Sequence, residues 1–264
     1  MTYDTILFEQ ADGIATLTLN RPAALNALTT ALIEEMIDAV DRVRDEGTAR
    51  VLLLTGAGRA FCSGADLATG GATGSGSGLP DTGARLESHF NPLLERLFAL
   101  PVPFITAVNG PAAGAGCSFA LAGDIVLASE SAYFLQAFVN IGLVPDVGST
   151  WLLPRLAGKA RAQGMMMLGE KIPAATALDW GMIWQVVPDA ELMATATALA
   201  KRLANGPTKT YALIRHGIRA GLDASLTETL AVERVNQRSA GRTADFVEGV
   251  SAFLQKRPVA FTGK

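Results

Sequence analysis

Apolar and polar positions follow two different periods in the first part of the chain. From Ile14 to Leu19, apolar residues alternate with threonines, which is the period of a strand with one buried face. From Thr30 apolar residues recur every three or four positions with acidic residues between them, and Gly47 ends the run. This second pattern predicts an amphipathic helix. A strongly apolar run at 51–55 follows and predicts a buried strand.

The same succession of elements recurs further along the chain. Apolar runs at 104–108 and 125–128 predict strands, and the segment at 117–122 between them predicts a helix. Recurring strand and helix units indicate an α/β fold. After Pro188 the strand patterns end, and four helical stretches follow at 191–204, 208–220, 226–239 and 243–254. We therefore expect a core at 1–188 and a helical region at 189–264 that forms a small domain or an oligomerisation layer.

Composition narrows the classes of function. The 264 residues are 49% apolar and 18% charged, with a formal net charge of −3 and no basic block, so a nucleic-acid partner is not expected. Cys62 and Cys117 lack the spacing of a zinc site or a disulfide framework, which favours a reducing cytoplasm. No apolar run reaches the ~20 residues of a membrane span, and the first residues do not resemble a secretion signal.

Two turns rich in small residues each follow a predicted strand. The first contains Gly64 and Ala65, and the second contains Gly114, Ala115 and Gly116. Small side chains leave backbone N–H groups accessible, so the two turns together predict donors that stabilise one developing oxyanion. Two ordinary tight turns are the alternative interpretation.

Few residues offer proton transfer. His89 and His216 lie in polar or basic surroundings and indicate surface or structural roles. The segment at 68–83 is almost entirely Gly, Ser, Thr and Ala, which predicts either a lid over the site or an ordinary flexible insertion. No Gly-x-Ser-x-Gly elbow or complete dinucleotide fingerprint occurs.

Asp146 is the most informative carboxylate. Its apolar neighbours Leu143, Val144, Val147 and Trp151 would raise its pKa by desolvation, whereas a helix beginning near Gly148 would lower it. The pattern leaves the direction open. An aspartate that follows a proline and precedes a helix is also typical of a helix N-cap.

Four groups of residues resemble the crotonase family, also called the enoyl-CoA hydratase/isomerase family, over the full length of the chain. They are Leu19-Asn20-Arg21-Pro22 with Leu25-Asn26-Ala27-Leu28, the segment Phe61-Cys62-Ser63-Gly64-Ala65-Asp66-Leu67, Val108-Asn109-Gly110 leading to Gly114-Ala115-Gly116, and Ser251-Ala252-Phe253 with Lys256-Arg257. The resemblance implies a spiral of ββα repeats with a C-terminal helical trimerisation region, and a homotrimer or a hexamer built from two trimers. It also implies an acyl-CoA substrate whose thioester oxygen binds the N–H groups of Ala65 and Ala115.

The sequence departs from the family's hydratases at two positions. Those enzymes use two glutamates to activate water, and by position this chain has Ser118 and Phe138 instead. Phenylalanine cannot accept a proton, and a serine without a basic partner is a poor acid or base. With Asp146 as the remaining carboxylate, this pattern favours proton movement through an enolate, which is isomerase chemistry, over the addition of water.

Further stretches resemble a subgroup of isomerases that convert the ring epoxide of phenylacetyl-CoA to an oxepin. They are 142–146, 151–155, 180–187 and 261–264. The subgroup implies Asp146 as the acid/base and an apolar acyl pocket shaped by Ser118, Phe134 and Phe138, although plain core packing is the alternative for these three. Coenzyme A contacts carried over from the family are Ala24, Leu25, Gly64, Asp66, Leu67, Phe253 and Lys256.

The resemblance implies no metal and no cofactor beyond the coenzyme A of the substrate. Four other functions stay open at this point. They are a general Δ3-Δ2 enoyl-CoA isomerase, an enoyl-CoA hydratase, a non-catalytic acyl-CoA-binding subunit, and a hydrolase with Ser118 or Cys117 as nucleophile.

Overall fold

The structure is a computed structural model that describes residues 3–68 and 81–264. Most of the Gly/Ser-rich segment at 68–83 therefore lies outside the described residues. The strands are β1 (Ile6–Ala11), β2 (Ile14–Leu19), β3 (Val51–Gly56), β4 (Phe104–Val108), β5 (Ala112–Ala113), β6 (Ile125–Ser129), β7 (Tyr133–Leu135), β8 (Lys171–Pro173) and β9 (Gln185–Val187).

Six of these strands form the main sheet, in the order β1-β2-β3-β4-β6-β9. β1 and β2 are an antiparallel hairpin, and every later neighbour is parallel. The buried middle strands β3 and β4 carry apolar side chains on both faces, as parallel strands covered on both sides require.

A second, smaller sheet contains β5, β7 and β8. The chain runs from β4 in the main sheet to β5 in the small sheet and then into a helix, and it repeats this path from β6 to β7. Each turn of the chain therefore supplies one strand to each sheet before a helix returns it. This is the spiral of ββα units that the resemblance implied, and the predicted fold class is confirmed.

The helices connect and cover the two sheets. They are α1 (Thr30–Glu46), α2 (Thr82–Arg85), α3 (Asn91–Ala99), α4 (Ala115–Leu121), α5 (Ser149–Ala157), α6 (Lys159–Leu168), α7 (Ala174–Asp179), α8 (Leu192–Ala204), α9 (Thr208–Gly221), α10 (Leu226–Ala240) and α11 (Ala244–Gln255). α1 has the caps expected from its sequence, because the Thr29 hydroxyl accepts the N–H of Leu32 and Gly47 ends the helix at φ 62°.

The core has two parts, one on each face of the main sheet. The larger part fills the space between the main sheet, the small sheet and helices α1, α3 and α4. The smaller part lies on the opposite face, where Ala196, Ala200 and Ala204 of α8 pack on Leu53 and Ile105. Alanine on this face lets α8 approach the sheet closely.

The four C-terminal helices match the four helical stretches predicted from the sequence to within two residues at each end, and residues 189–264 contain no strand. The predicted helix at 117–122 begins earlier, at Ala115. α8 belongs to the predicted helical region but packs on the main sheet, so the two parts share a core. The division at 188 and the role of 189–264 in assembly stay predictions.

Candidate active site

The two small-residue turns occupy equivalent places in consecutive turns of the spiral. Cys62 pairs with Ala112 as a parallel bridge, with the Cys62 N–H donating to Pro111 at 3.1 Å and the Ala113 N–H donating to Cys62 at 2.9 Å. Ala65 lies three residues after Cys62, and Ala115 lies three residues after Ala112. The strand register therefore brings the two predicted donors to the same edge of neighbouring repeats.

The glycines allow these turns to touch backbone to backbone. A Cβ added at Gly64, where φ is +97°, would lie 2.9 Å from the carbonyl oxygen of Ala113. A Cβ added at Gly116 would lie 2.6 Å from the carbonyl oxygen of Cys62. Any larger residue would force the turns apart, so glycine is needed here for close approach as well as for backbone freedom.

The N–H groups of Ala65 and Ala115 donate no hydrogen bond to any residue in the described ranges. Their neighbours do: the Gly64 N–H meets the Cys62 sulfur at 3.4 Å, and the Asp66 N–H donates to Leu28 at 3.0 Å. Ala115 is the first residue of α4, where backbone donors have no partner inside the helix. Two free donors on abutting turns suit a single anionic oxygen.

Asn26 holds the first turn and was not identified as a site residue from the sequence. Its buried side-chain amide donates to the carbonyls of Ala57, Ala60 and Phe61 at 2.8–3.1 Å, and its oxygen accepts the N–H of Arg21. Its φ of +56° is a conformation that asparagine adopts more readily than most residues. That preference is the signal in the sequence that could have indicated its role.

The coenzyme A residues carried over from the family form two groups. Leu25 accepts the N–H of Ser63 at 3.0 Å, and the Ser63 hydroxyl meets the carbonyl of Ala24 at 3.4 Å, so this turn adjoins the first donor turn. Gly64, Asp66 and Leu67 lie within that donor turn, and Leu67 is exposed. The Asp66 carboxylate forms an ion pair with Arg21 at 3.0 Å.

Phe253 and Lys256 lie at the end of α11. Phe253 is 82% exposed, and none of the described hydrogen bonds or ion pairs joins either residue to the donor turns. Their assignment to the coenzyme A site stays a prediction.

Asp146 lies in the loop that precedes α5. Its Oδ1 atom is buried and has no hydrogen-bond partner among the described residues. Burial raises the pKa of Asp146 to about 6, and its own backbone N–H opposes the rise. The pKa of Asp146 is therefore raised, with desolvation as the larger cause, which gives the direction that the sequence left open. Val147 is buried beside it, but Val144 is 80% exposed, so its predicted contribution to the apolar surroundings was wrong.

The interpretation of Asp146 as a helix N-cap is wrong. The N-cap of α5 is Gly148, which makes no side-chain hydrogen bond. The pKa of Asp146 is higher in the folded protein, at about 6, than the ordinary value of 3.8, so protonation of this carboxyl favours the folded state. Its contribution to the free energy of unfolding is complete below pH 3.8 and is lost as the pH rises through about 6. The difference of about two pKa units corresponds to at most about 3 kcal/mol.

Hydrogen bonds and one ring contact connect the Asp146 loop to the second donor turn. The Ser118 hydroxyl, one turn into α4, donates to the Asp146 carbonyl at 3.3 Å. Phe138 lies 3.7 Å from where a Cβ on Gly114 would be, and its carbonyl accepts the N–H of Leu143. The structure thus brings Asp146, Ser118 and Phe138 together at the turn that carries Ala115.

The three predicted pocket residues differ in exposure. Phe138 is 7% exposed, and Ser118 is 1% exposed with its hydroxyl 2.6 Å from that of Ser149. Phe134 is completely buried in β7 and packs in the main core. Its surroundings match the alternative of core packing, while the pocket roles of all three stay predictions.

The remaining candidate nucleophiles and bases lie apart from this arrangement. His89 contacts Ser88 and Glu34, and His216 contacts Asn236, both at the surface as expected. Cys117 is fully buried, and burial raises the pKa of its thiol to about 12, so it cannot act as a nucleophile. The Ser118 hydroxyl contacts the Ser149 hydroxyl and the Asp146 carbonyl, and none of its described partners is a basic side chain, so the structure gives the hydrolase interpretation no added support.

Residues 3–68 and 81–264 contain no group of three or more His, Cys, Asp or Glu side chains placed to hold a metal ion. Within those ranges, no helix combines the length and the apolar character that crossing a membrane would require.

Comparisons with known proteins identify the family of the chain. The family described as enoyl-CoA hydratase/isomerase matches residues 9–264. The 1,2-epoxyphenylacetyl-CoA isomerase of Escherichia coli K12 is 50% identical over 259 residues, which cover 98% of each chain. A Rhodobacter capsulatus protein described as a probable enoyl-CoA hydratase is 47% identical over the whole of both chains.

A solved structure shows the same architecture. The crystal structure of enoyl-CoA hydratase from Bacillus anthracis superposes with a TM-score of 0.92 at 32% identity, covering 99% of this chain and 100% of that one. The chain therefore belongs to the enoyl-CoA hydratase/isomerase family and is an enzyme of that family.

Proposed function

We propose that this enzyme isomerises ring-1,2-epoxyphenylacetyl-CoA to the oxepin-CoA through a thioester enolate. The observation that carries the proposal is the buried Oδ1 atom of Asp146, which has no hydrogen-bond partner among the described residues. Ser118 joins the main chain of Asp146 to the turn that presents the free N–H of Ala115. The 50% identity to a 1,2-epoxyphenylacetyl-CoA isomerase over nearly the whole chain supports the choice of acyl group.

In the proposed reaction the Asp146 carboxylate removes a proton from the carbon next to the thioester carbonyl. The electron pair moves onto the carbonyl oxygen, and the N–H groups of Ala65 and Ala115 stabilise the resulting oxyanion. As the electrons return, the carbon–carbon bond shared by the epoxide and the six-membered ring breaks, which gives the seven-membered oxepin. A double bond forms between the deprotonated side-chain carbon and the ring, and the protonated Asp146 gives its proton to the neighbouring ring carbon. Atoms are neither gained nor lost. A pKa of about 6 suits a group that must both accept and donate a proton near neutral pH.

The surroundings of Asp146 support isomerisation over hydration. Hydration needs groups that activate a water and protonate the neighbouring carbon. The Ser118 hydroxyl is occupied by the Ser149 hydroxyl and the Asp146 carbonyl, and Phe138 presents an apolar ring beside Gly114. Neither can act as a base. One carboxylate is sufficient to move a proton from one carbon to another. It is not sufficient both to activate a water and to protonate the neighbouring carbon.

A general Δ3-Δ2 enoyl-CoA isomerase is the nearest alternative, since the same enolate and the same carboxylate would move a double bond. Hydration is a further alternative, because the chain is 47% identical to a protein described as a probable enoyl-CoA hydratase. A non-catalytic acyl-CoA-binding subunit is the alternative from another class.

The products distinguish these functions. The purified protein is incubated with phenylacetyl-CoA epoxide generated in situ and, separately, with a 3-enoyl-CoA, and products are followed by mass spectrometry and ultraviolet spectroscopy. We expect an oxepin product of unchanged mass. Double-bond migration without oxepin would favour the general isomerase, and the addition of one water would favour a hydratase. Binding without turnover of either thioester would favour the non-catalytic subunit.

The proposal includes an acyl-CoA as the ligand and no cofactor beyond its coenzyme A. The turn at Ala24 and Leu25, together with 64–67, would contact the coenzyme A through backbone groups. A cytoplasmic location, which free and buried Cys62 and Cys117 support, is part of the same proposal.

We also propose a homotrimer, alone or paired into a hexamer. The C-terminal helices expose apolar residues that a soluble monomer would rarely leave uncovered, among them Ile218, Leu226, Phe246, Phe253 and Leu254. A neighbouring chain would then supply Phe253 and Lys256 to the site. Sedimentation equilibrium should give a mass of three or six chains, and a monomer would contradict this proposal.

A further inference from the structure

The backbone next to Asp146 adopts a conformation that its residue type disfavours. Val147 has a φ of +47°, and it is 2% exposed. A β-branched residue in the left-handed region is a genuine outlier, because its branched side chain clashes with the backbone there. Such strain persists when surrounding contacts enforce it, and it concentrates at functional sites.

A pair of serine hydroxyls supplies such contacts. Ser118 and Ser149 lie 2.6 Å apart, and Ser118 is also 3.3 Å from the carbonyl oxygen of Asp146. Both contacts are satisfied when Ser149 donates to Ser118 and Ser118 donates to that carbonyl. The Ser149 N–H donates to the same carbonyl at 3.0 Å. The main chain of Asp146 is thus tied both to α4, which begins at Ala115, and to the start of α5.

At the start of α5, the Ser149 N–H is thus bonded to the main-chain carbonyl of Asp146 and not to its carboxylate. An aspartate just before a helix ordinarily accepts first-turn N–H groups with its side chain, which would lower its pKa. Here the left-handed residues Val147 and Gly148 intervene, and the cap has no side-chain bond. The Oδ1 atom of Asp146 stays buried and without a partner among the described residues.

We propose that Ser118 and Ser149 are positioning residues that hold Val147 in its strained conformation and thereby keep the Asp146 carboxylate off the amino end of α5 and free to carry a proton. Neither serine exchanges a proton with the substrate; each acts through the main chain of Asp146. This inference rests on the proposed function, in which Asp146 is the acid/base, and it assigns a role to the serine that stands where family hydratases have a glutamate.

The first test is kinetic and uses Ser118→Ala and Ser149→Ala. In each variant we expect kcat to fall about 10- to 100-fold with KM within about twofold, because the carboxylate is misplaced while the coenzyme A contacts are kept. The acidic limb of the kcat profile should move down by about one pH unit as Asp146 gains helix N–H partners.

Two controls separate positioning from packing. Val147→Gly loses the packing of the side chain but adopts the left-handed conformation without a penalty, so it should retain the wild-type acidic limb. Ser129→Ala removes a buried hydroxyl that contacts Ser131, and it should leave kcat unchanged. A limb shift in Val147→Gly as large as in the serine variants, or no limb shift in either serine variant, would overturn the proposal.

A second measurement does not depend on turnover. In the wild-type background Asp146→Asn should raise Tm at pH 7 and not at pH 4, because it removes a desolvated anion. In the Ser118→Ala background the gain at pH 7 should shrink by at least half, and Ser149→Ala provides the same comparison if Ser118→Ala does not fold. An equal gain in both backgrounds would refute the positioning role. Unchanged turnover in Asp146→Asn would instead refute the proposed function, and the Tm comparison would still decide the inference.

Discussion

Replacing Asp146 with asparagine is expected to lower kcat by about 10³-fold while coenzyme A ester binding stays within about twofold. The amide has nearly the same shape but cannot accept a proton from the carbon next to the thioester, and general acid–base groups typically contribute ~10²–10⁴-fold. Steady-state kinetics on the epoxide and on a 3-enoyl-CoA, together with calorimetric binding of a saturated acyl-CoA, measure both quantities.

Asp223→Asn is the matched control, since it removes a carboxylate that is paired with Arg155 and largely exposed on the surface. Its kcat should equal that of the wild type. If Asp146→Asn also kept wild-type kcat on every thioester tested, the proton would have to be carried by another group and the proposed mechanism would be wrong.

Replacing Ala115 with proline is expected to lower kcat by about 10²- to 10³-fold. Proline removes the N–H that would bind the oxyanion, and the loss of one such donor costs ~3 kcal/mol of barrier. Because Ala115 is the first residue of α4 and its N–H donates to no described residue, the free protein should lose no hydrogen bond. Proline is well tolerated at a first helical position. Single-turnover kinetics isolate the chemical step.

Ala244→Pro provides the same change at the first residue of α11, away from the site, and should leave kcat unchanged. Circular dichroism and Tm show whether each variant is folded. A folded Ala115→Pro enzyme with wild-type kcat would show that the second donor is another group.

The pattern along the chain predicted the long elements well, for identifiable reasons. α1 has an apolar stripe, a threonine cap and a terminal glycine, and all three signals agree. The strands β5, β7 and β8 were not predicted. Each has two or three residues, too few to show a period, and they exist because the spiral brings them beside one another. Long-range pairing of this kind leaves little trace in a local sequence.

Within the site, the predictable part was which residue types lie after which strands. Ala65 and Ala115 could be identified because small residues follow two apolar runs. The direction of the pKa shift at Asp146 could not, because burial and the helix terminus oppose each other and their balance depends on the conformation of Val147 and Gly148. The bond between Ser118 and Ser149 joins residues 31 positions apart and was equally hidden.

The pairing of Cys62 with Ala112 has a consequence for how this enzyme could change its substrate over evolution. Neighbouring strands lie about 4.8 Å apart, and two N–H donors that share one oxygen at about 2.9 Å each lie a similar distance from one another. The pairing of these two backbone segments therefore sets the distance between the two proposed donors to the thioester oxygen. Apart from Gly64 and Gly116, where a side chain would force the turns apart, substitutions would leave this backbone spacing unchanged. Under the proposed function, substitutions around Phe138 would therefore change the acyl pocket without changing the backbone groups that bind the thioester.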